Sequence, residues 1–305
     1  MPNSDPLFLS ESRVEQLLVF DELLPAIEKA LIDFSAGRVI QPLRGIVPMP
    51  QPGAFFGLMP ALFEDVFGAK LVTVVPANAG RGLPTHLASI QLFDSQTGET
   101  LAVMDGRIIT AWRTAAVSAI ATRELSRPNA ATLAILGSGV QARTHFLALT
   151  RMRSFQEVRV WSRTPEHARK FAGEIGATTV TVEEAVRGAD VIVTVTNAAA
   201  PIVRGEWVKP GAYVNAVGAV GLKAREVDDV LMRTATVIVE SRESAACESA
   251  EIVQSGAPVY AELGELLAGK VNKPEAGKTI VFKSLGIGAE DIAAARLVYR
   301  KATAK

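Results

Sequence analysis

Two glycines directly follow a short apolar run in the stretch TLAILGSGVQARTHFLAL, residues 132–149. Gly137 and Gly139 are followed three residues later by Ala142, and a helix-like pattern continues from there. In a strand–turn–helix context, glycines at this spacing let backbone amides approach a pyrophosphate, and a small third residue lets the helix lie close to the strand. The stretch therefore predicts a dinucleotide site; the alternative is a tight corner without a ligand.

The end of the next predicted strand indicates which dinucleotide is bound. An NAD site usually has an acidic residue there, which accepts hydrogen bonds from the ribose hydroxyls. The sequence VWSRT instead places Ser162, Arg163 and Thr164 at this end, and an arginine with two hydroxyls suits a 2′-phosphate. We therefore expect NADPH (or NADP) as the cofactor, with NADH less favoured; the alternative is that Arg163 is a solvated surface cation.

From about residue 130, patterns typical of strands and of helices alternate along the chain. Continuous apolar strands separated by helices are typical of a parallel sheet covered on both faces. The predicted strands are TLAIL, EVRVWS, ATTVTV, DVIVTVT, AYVNAVG, ATVIVE and TIVFKSLG. The preceding RIITAWRTAAVSAIATREL is rich in alanine without Gly or Pro and predicts one helix. The predicted fold class is α/β, a central Rossmann-type doubly wound parallel sheet plus an α+β domain.

Composition narrows the class of protein. The 305 residues favour two domains. Equal numbers of basic and acidic residues, 32 each, without a basic stripe, predict neither a nucleic-acid nor a membrane partner. The single cysteine, Cys247, and the lack of a leader pattern favour a reducing, cytoplasmic location. The three histidines are scattered, so no metal site is predicted.

Several longer stretches carry a resemblance to a known family. They are LAVMDGRIITAWRTAAVSAIATREL, LGSGVQARTHF, VWSRT, GEWVKPGAYVNAVGA and TIVFKSLG. In this order, from about residue 7 to 300, the chain resembles the ornithine cyclodeaminase/mu-crystallin family, and most of all its mu-crystallin members. The resemblance implies a homodimer, with a substrate-binding and dimerisation domain made of residues 1–125 and 286–305, and an NADP(H)-binding domain made of residues 126–285.

The resemblance also implies roles for individual residues. Arg44, Lys70 and Arg113 match the basic residues that hold the substrate carboxylate, and Lys70 and Arg113 are the expected catalytic residues. The residues that match cofactor contacts are Thr85, His86, Arg113, Gly137, Ser138, Gly139, Val140, Gln141, Ser162, Arg163, Thr164, His167, Thr196, Asn197 and Val217.

The chemistry of a cyclic 2-imino acid fits these three basic residues. Its reduction needs a clamp for the carboxylate, a hydride for C2 and a proton for the nitrogen. The planar fork of arginine suits the clamp, which we assign to Arg44 and Arg113. Lys70 lies in an apolar, strand-like stretch, so its ammonium either joins the clamp or, with a lowered pKa, donates the proton. For each of the three, the alternative is a solvated surface charge.

One position departs from the family's cyclodeaminases, which have an aspartate after NAV where this sequence has Val220. Valine cannot act as an acid or base, so ornithine cyclodeamination is disfavoured. The expected function is NADPH-dependent reduction of a cyclic ketimine, Δ1-piperideine-2-carboxylate or Δ1-pyrroline-2-carboxylate, to the cyclic L-amino acid. Two alternatives remain: an alanine-dehydrogenase-like enzyme acting on an open-chain oxo acid, and an NADPH-dependent protein that binds a thyroid-hormone-like molecule or serves as a crystallin.

Overall fold

The computed structural model describes residues 5–304, and the chain divides into two compact units. One runs to Thr114 and resumes at Gly286; the other is Ala115–Leu285. Residues 1–4 and residue 305 of the predicted first domain lie outside the described residues. The first division falls inside one unbroken helix, Arg107–Leu125, rather than after it, because this alanine-rich segment offers no Gly or Pro at which the helix would break.

The first unit contains a six-stranded sheet. Its strands are β1 (Leu7–Leu9), β2 (Gly45–Pro48), β3 (Phe55–Phe63), β4 (Val66–Val74), β5 (His86–Asp94) and β6 (Thr100–Asp105). They lie in the order β1-β6-β5-β4-β3-β2. β1 pairs with β6 in parallel, and the remaining pairs are antiparallel. Since successive side chains point to opposite faces, one face of this sheet is buried and the other is partly open.

Helical segments complete the first unit. They are α1 (Glu11–Leu17), α2 (Phe20–Ser35), a 3-10 helix (Pro76–Arg81), the first part of α3 (Arg107–Leu125) and α11 (Gly288–Thr303). The last helix, α11, packs on α2 and on β3 and β4. It lies close to the sheet because β4 has a glycine, Gly68, at a crowded position: a Cβ there would lie 2.2 Å from the carbonyl oxygen of Gln91 and 3.1 Å from Ile292. Apolar residues at helical spacing in DELLPAIEKALIDFSAG predict α2, and AEDIAAARLVYRKA predicts α11; neither β1 nor α1 was predicted.

The second unit contains an eight-stranded sheet in which every strand pair is parallel. Its strands are β7 (Thr132–Leu136), β8 (Glu157–Trp161), β9 (Thr178–Thr179), β10 (Val191–Thr194), β11 (Tyr213–Ala216), β12 (Thr236–Val239), β13 (Val259–Glu262) and β14 (Ile280–Lys283). The predicted parallel α/β sheet is therefore confirmed. Of these strands only β13, VYAE, was not predicted.

Helices connect these strands. They are α4 (Val140–Leu149), α5 (Pro165–Ile175), α6 (Val182–Val186), a 3-10 turn (Gly205–Trp207), α7 (Asp229–Thr234), α8 (Arg242–Glu248), α9 (Ala250–Ser255) and α10 (Leu263–Leu267). No helix within residues 5–304 is long and apolar enough to cross a membrane.

The strand order of the second sheet shows where a ligand binds in this fold class. The order is β13-β12-β14-β11-β10-β7-β8-β9, so the chain runs outward from β7 to β9 and then returns to the other side of β7 with β10. Open parallel sheets bind ligands outside the carboxyl ends of their strands, where the strand order reverses. The glycine turn after β7 and the loop after β10 flank this point.

Candidate functional site

Two of the three predicted basic residues, Lys70 and Arg113, pair with two buried acids in the first unit. Lys70, on the buried face of β4, is only 2% exposed, and its Nζ lies 2.8 Å from Asp291 Oδ2. Arg113 Nε donates to Asp291 Oδ1 at 2.9 Å, and Arg113 Nη1 donates to Glu290 Oε2 at 2.7 Å. Asp291 therefore joins β4 to α3 from the first turn of α11. Neither acid was predicted from the sequence.

Arg44 and Arg113 meet at one glycine. Arg44 Nη2 donates to the carbonyl oxygen of Gly286 at 2.7 Å. Gly286 has φ +71°, and a Cβ on it would lie 2.2 Å from Arg113 Nη1. Only glycine allows this backbone conformation and the close approach of a guanidinium together. Arg44 itself lies directly before β2.

Basic side chains outnumber acids in this cluster. Lys70, Arg113, Glu290 and Asp291 are buried, and Arg44 beside them is half-buried. Burial lowers the pKa of Lys70 to about 8, helped by the positive charges of Arg113 and Arg44 and opposed by Asp291. Three basic side chains in one place suit the binding of an anion, such as a carboxylate.

Thr85 and His86 stand at the start of β5, on the same sheet. The pairing of Val74 with His86 puts the histidine on the face that carries Lys70, since residues 70 and 74 share a face. Thr85 Oγ1 lies 3.0 Å from His86 Nδ1. The ring reaches solvent, yet desolvation by the surrounding protein and the positive charge of Lys70 lower the pKa of His86. At neutral pH the imidazole is therefore mainly uncharged.

In the second unit, the glycine turn has the conformation that its sequence predicts. Gly137 has φ +131°, and a Cβ on it would lie 2.8 Å from the carbonyl oxygen of Val195. Gly139 is the residue before α4, and no described atom lies within 4 Å of its Cβ position. No described side chain caps this end of α4, and Val140 is exposed. The first amides of the helix are thus available to an anion, and the turn fits a pyrophosphate.

Polar contacts join this turn to the end of β8. Ser138 Oγ donates to Ser162 Oγ at 2.9 Å. Arg143 Nη1 donates to the carbonyl oxygen of Ser138 at 2.5 Å, while its Nε donates to Glu174 at 2.8 Å. Arg143 was not among the predicted site residues. Its position one helical turn after Gly139 could have indicated that its side chain contacts the turn. It supports the turn through the backbone of Ser138.

The other predicted cofactor residues around β8 and α4 differ in exposure. Arg163 and His167 are exposed, and Ser162 and Thr164 are half-buried. Thr164 precedes α5, and no described side chain caps that helix. Gln141, in the first turn of α4, has a buried Oε1 without a hydrogen-bond partner among the described residues. Because its side chain is exposed, Arg163 can turn toward an anion at the end of β8.

The loops after β10 and β11 carry the remaining predicted residues and contact each other. Thr196 and Asn197 follow β10, and Val217 follows β11. A Cβ on the next residue, Gly218, would lie 2.1 Å from the carbonyl oxygen of Thr196. Asn197 is exposed and Val217 is buried. Val220, where the family's cyclodeaminases have an aspartate, is 43% exposed.

Comparison with known proteins agrees with this architecture. The fold is that of the Rossmann-type dehydrogenases, and residues 4–305 match the ornithine cyclodeaminase/mu-crystallin family. The chain belongs to this family, which confirms the resemblance found in its sequence.

Three relatives are similar over nearly their whole length. The ketimine reductase mu-crystallin of Mus musculus is 51% identical over 304 residues, which cover 96% of each chain. The structure of Thermococcus litoralis Δ1-pyrroline-2-carboxylate reductase, in complex with NADH and L-proline, is 36% identical and superposes with a TM-score of 0.92 over 97% of each chain. An archaeal alanine dehydrogenase dimer with bound NAD is 32% identical, with a TM-score of 0.92 over 97% of this chain and 96% of that one.

We predict that Arg113→Ala lowers the free energy of unfolding by about 3–5 kcal/mol, because it leaves two buried carboxylates without this partner. Arg107 is a matched control on the same helix, since it pairs with Glu11 and Asp105 at the surface. Arg107→Ala should cost about 1 kcal/mol or less. Urea denaturation of both variants measures the difference, and equal losses would show that the Arg113 pairs add nothing to stability.

Proposed function

We propose that the protein reduces cyclic ketimines that carry a carboxylate, Δ1-piperideine-2-carboxylate or Δ1-pyrroline-2-carboxylate, to the cyclic L-amino acids. A nicotinamide dinucleotide supplies the hydride, and we propose NADPH in preference to NADH. One observation carries the proposal: Arg44, Lys70 and Arg113 lie together beside two buried acids and Gly286, and burial lowers the pKa of Lys70 to about 8. Membership of the family supports it.

The cluster can perform two tasks in this reaction. Arg44 and Arg113 hold the substrate carboxylate, and Glu290 and Asp291 keep the Arg113 guanidinium in one orientation. Lys70 donates the proton to the ring nitrogen. A lysine is a useful acid near neutral pH when its pKa is close to that pH, and burial gives Lys70 this property.

The second unit offers the residues to hold the cofactor. The amides after Gly139 face the pyrophosphate, with Ser138, Val140 and Gln141 around it, and Ser162, Arg163, Thr164 and His167 lie toward the adenosine end. Thr196, Asn197 and Val217 serve the nicotinamide end. Thr85 and His86, which belong to the first unit, stay predicted cofactor contacts. When bound, the cofactor supplies hydride chemistry; the protein supplies orientation and charge.

A second candidate, an alanine-dehydrogenase-like activity, is favoured by the similarity to the archaeal enzyme. An open-chain 2-imino acid has the same carboxylate beside a C=N bond, so the cluster alone does not distinguish it from a cyclic ketimine. Ornithine cyclodeamination is disfavoured, because Val220 offers no ionisable group.

The reaction and its pH dependence test the proposal together. With NADPH, kcat/KM for a cyclic imino acid should exceed that for the same ring without a carboxylate by at least about 30-fold, the lower range for removing one partner of a buried charge pair. This kcat/KM, which reports the ionisation of the free enzyme, should fall as pH rises through about 8, because Lys70 loses its proton there. Asp291 raises the pKa of Lys70, so Asp291→Asn should move this fall to lower pH.

The substrate panel should include pyruvate with ammonia, and ornithine. Faster NADPH oxidation with pyruvate and ammonia than with either cyclic imino acid would favour the alanine-dehydrogenase-like activity, and proline formation from ornithine would contradict the argument from Val220. A pH profile that Asp291→Asn leaves in place would rule out Lys70 as the proton donor.

We also predict that NADPH binds more tightly than NADH and that Arg163→Ala narrows the gap by about 1–3 kcal/mol, the scale of one charge-assisted pair. The control is Arg169→Ala, since Arg169 is an exposed arginine of the same region that pairs with Glu166. Fluorescence titration measures the dissociation constants of both cofactors. Equal constants in the unmutated protein would contradict the preference.

We propose further that two copies of the chain form a homodimer through the open face of the first sheet. This face, opposite to Lys70, carries Leu58 beside Leu71 and a stacked pair, Phe67 and Phe93, with ring centroids 4.8 Å apart. Phe8, in register with Val103 on the same sheet, is 79% exposed. A face this apolar is more typical of an interface than of a free surface.

The dimer proposal predicts that Leu58→Glu shifts the protein toward the monomer, because a carboxylate would be buried in the interface. Val230→Glu introduces the same charge at an exposed valine of α7 and should leave the assembly unchanged. Analytical ultracentrifugation distinguishes the species. A monomeric unmutated protein would contradict the proposal.

A further inference from the structure

A buried glutamate joins the two loops that follow β10 and β11. Glu226 is 0% exposed, and its Oε1 accepts hydrogen bonds from the amide of Thr196 at 2.6 Å and from Thr196 Oγ1 at 2.7 Å. Its Oε2 accepts from Thr194 Oγ1 at 2.8 Å, from the amide of Gly218 at 2.6 Å and from the amide of Ala219 at 3.2 Å. One carboxylate thus collects three backbone amides from two separate loops.

A lysine and a second acid complete this buried group. Lys283 Nζ, at the end of β14, donates to the carbonyl oxygen of Ala219 at 2.6 Å and lies 3.6 Å from Glu251 Oε1. Glu251 Oε1 accepts from the amide of Glu226 at 3.0 Å. Burial raises the pKa of Glu226, while the positive charge of Lys283 and the hydrogen bonds from Thr196 and Thr194 oppose this rise. The donors and the lysine are what favour a carboxylate here.

The place of this carboxylate in the fold points beyond stability. The two loops lie at the carboxyl ends of β10 and β11, the edge at which sheets of this order bind dinucleotides. The close approach of Gly218 to Thr196 leaves no room for a side chain between them, so the relative position of the loops depends on what holds their amides. The amides of Val217 and Gly218 reach the carbonyl oxygen of Thr194 at 3.0 and 3.1 Å, and Glu226 is the side chain that binds amides of both loops.

We propose that Glu226 is a positioning residue for the nicotinamide end of the cofactor, because it holds the loops after β10 and β11 in the arrangement that binds this end. The inference rests on the proposed function, in which Thr196, Asn197 and Val217 serve the nicotinamide. Glutamine cannot replace Glu226, since its amide nitrogen is a donor. In Glu226→Gln that nitrogen faces either the donors of Thr196 or the amides of Gly218 and Ala219.

The same sheet offers a matched control. Asp190 precedes β10 and joins strand ends at the opposite edge: its Oδ2 accepts from the amides of Ala131 and Thr132 at 2.8 and 3.0 Å. Its Oδ1 pairs with Arg127 and Lys209, each at 2.6 Å. Asp190→Asn therefore also removes an acid that collects backbone amides beside β10, but at the edge away from the glycine turn.

The experiment compares the binding of a complete cofactor with the binding of a fragment that has only the adenosine end. NADPH and 2′,5′-ADP, which lacks the nicotinamide end, are titrated against the full chain and both variants. Glu226→Gln should weaken NADPH binding and lower kcat, each by about 10- to 100-fold, the range expected when buried donors lose their acceptor. Its affinity for 2′,5′-ADP should stay within about twofold of the unmutated protein. Asp190→Asn should lower the thermal midpoint but leave both affinities and kcat in place.

Each result has a distinct meaning. Equal loss of NADPH and 2′,5′-ADP binding in Glu226→Gln would mean that Glu226 supports the fold alone, and unchanged NADPH binding would likewise overturn the inference while the proposed function stands. An unmutated protein that binds neither NADPH nor NADH would overturn the proposed function itself.

If Glu226→Gln does not fold, Thr194→Val removes one donor to the carboxylate with little change of shape. This variant should weaken NADPH binding in the same direction and spare 2′,5′-ADP; equal effects would again contradict the inference.

Discussion

The first unit depends on one buried carboxylate, that of Asp291. Its Oδ2 forms an ion pair with Lys70, and its Oδ1 accepts a hydrogen bond from Arg113. Removing such charges from water is costly, and the cost is offset only when every partner is in place. The cluster therefore requires β4, α3 and α11 to meet at one point. Gly286 and Gly68 make this possible, since a larger residue at either position would displace a guanidinium or the helix.

The second unit uses the same physical device for a different purpose. Glu226 collects amides from two loops, as Asp291 collects two cations. In both units a buried acid organises groups that are proposed to bind a ligand, and the acid itself lies behind them. Such an acid is strongly favoured in one position, because any displacement leaves several buried donors unpaired. This constraint fixes geometry more effectively than apolar packing does, since a carboxylate accepts hydrogen bonds in particular directions.

Local patterns predicted much of this fold. The helix Arg107–Leu125, the strand Thr132–Leu136 and the glycine turn that follows it were all predictable, because period, propensity and turn chemistry are properties of neighbouring residues. Glu290 and Asp291 were not, since acids in a first helical turn usually complement the helix dipole in solvent. The one sequence signal was their position in the alanine-rich stretch AEDIAAARL, since a helix of small apolar residues is often buried and buried acids need cationic partners. Glu226 gave no local signal, because the groups that donate to its carboxylate lie 7 to 32 residues away in the sequence.

The same basic side chains connect the two tasks proposed for the first unit. A bound carboxylate brings a negative charge to the cluster, and a nearby negative charge favours the ammonium form of a lysine. In the proposed reaction, substrate binding therefore raises the pKa of Lys70 from its value of about 8 and favours the protonated form that the ring nitrogen needs. An imine without a carboxylate loses the grip of the arginines and this effect on the acid at the same time. In the proposed reaction, recognition and proton transfer thus share one electrostatic cause.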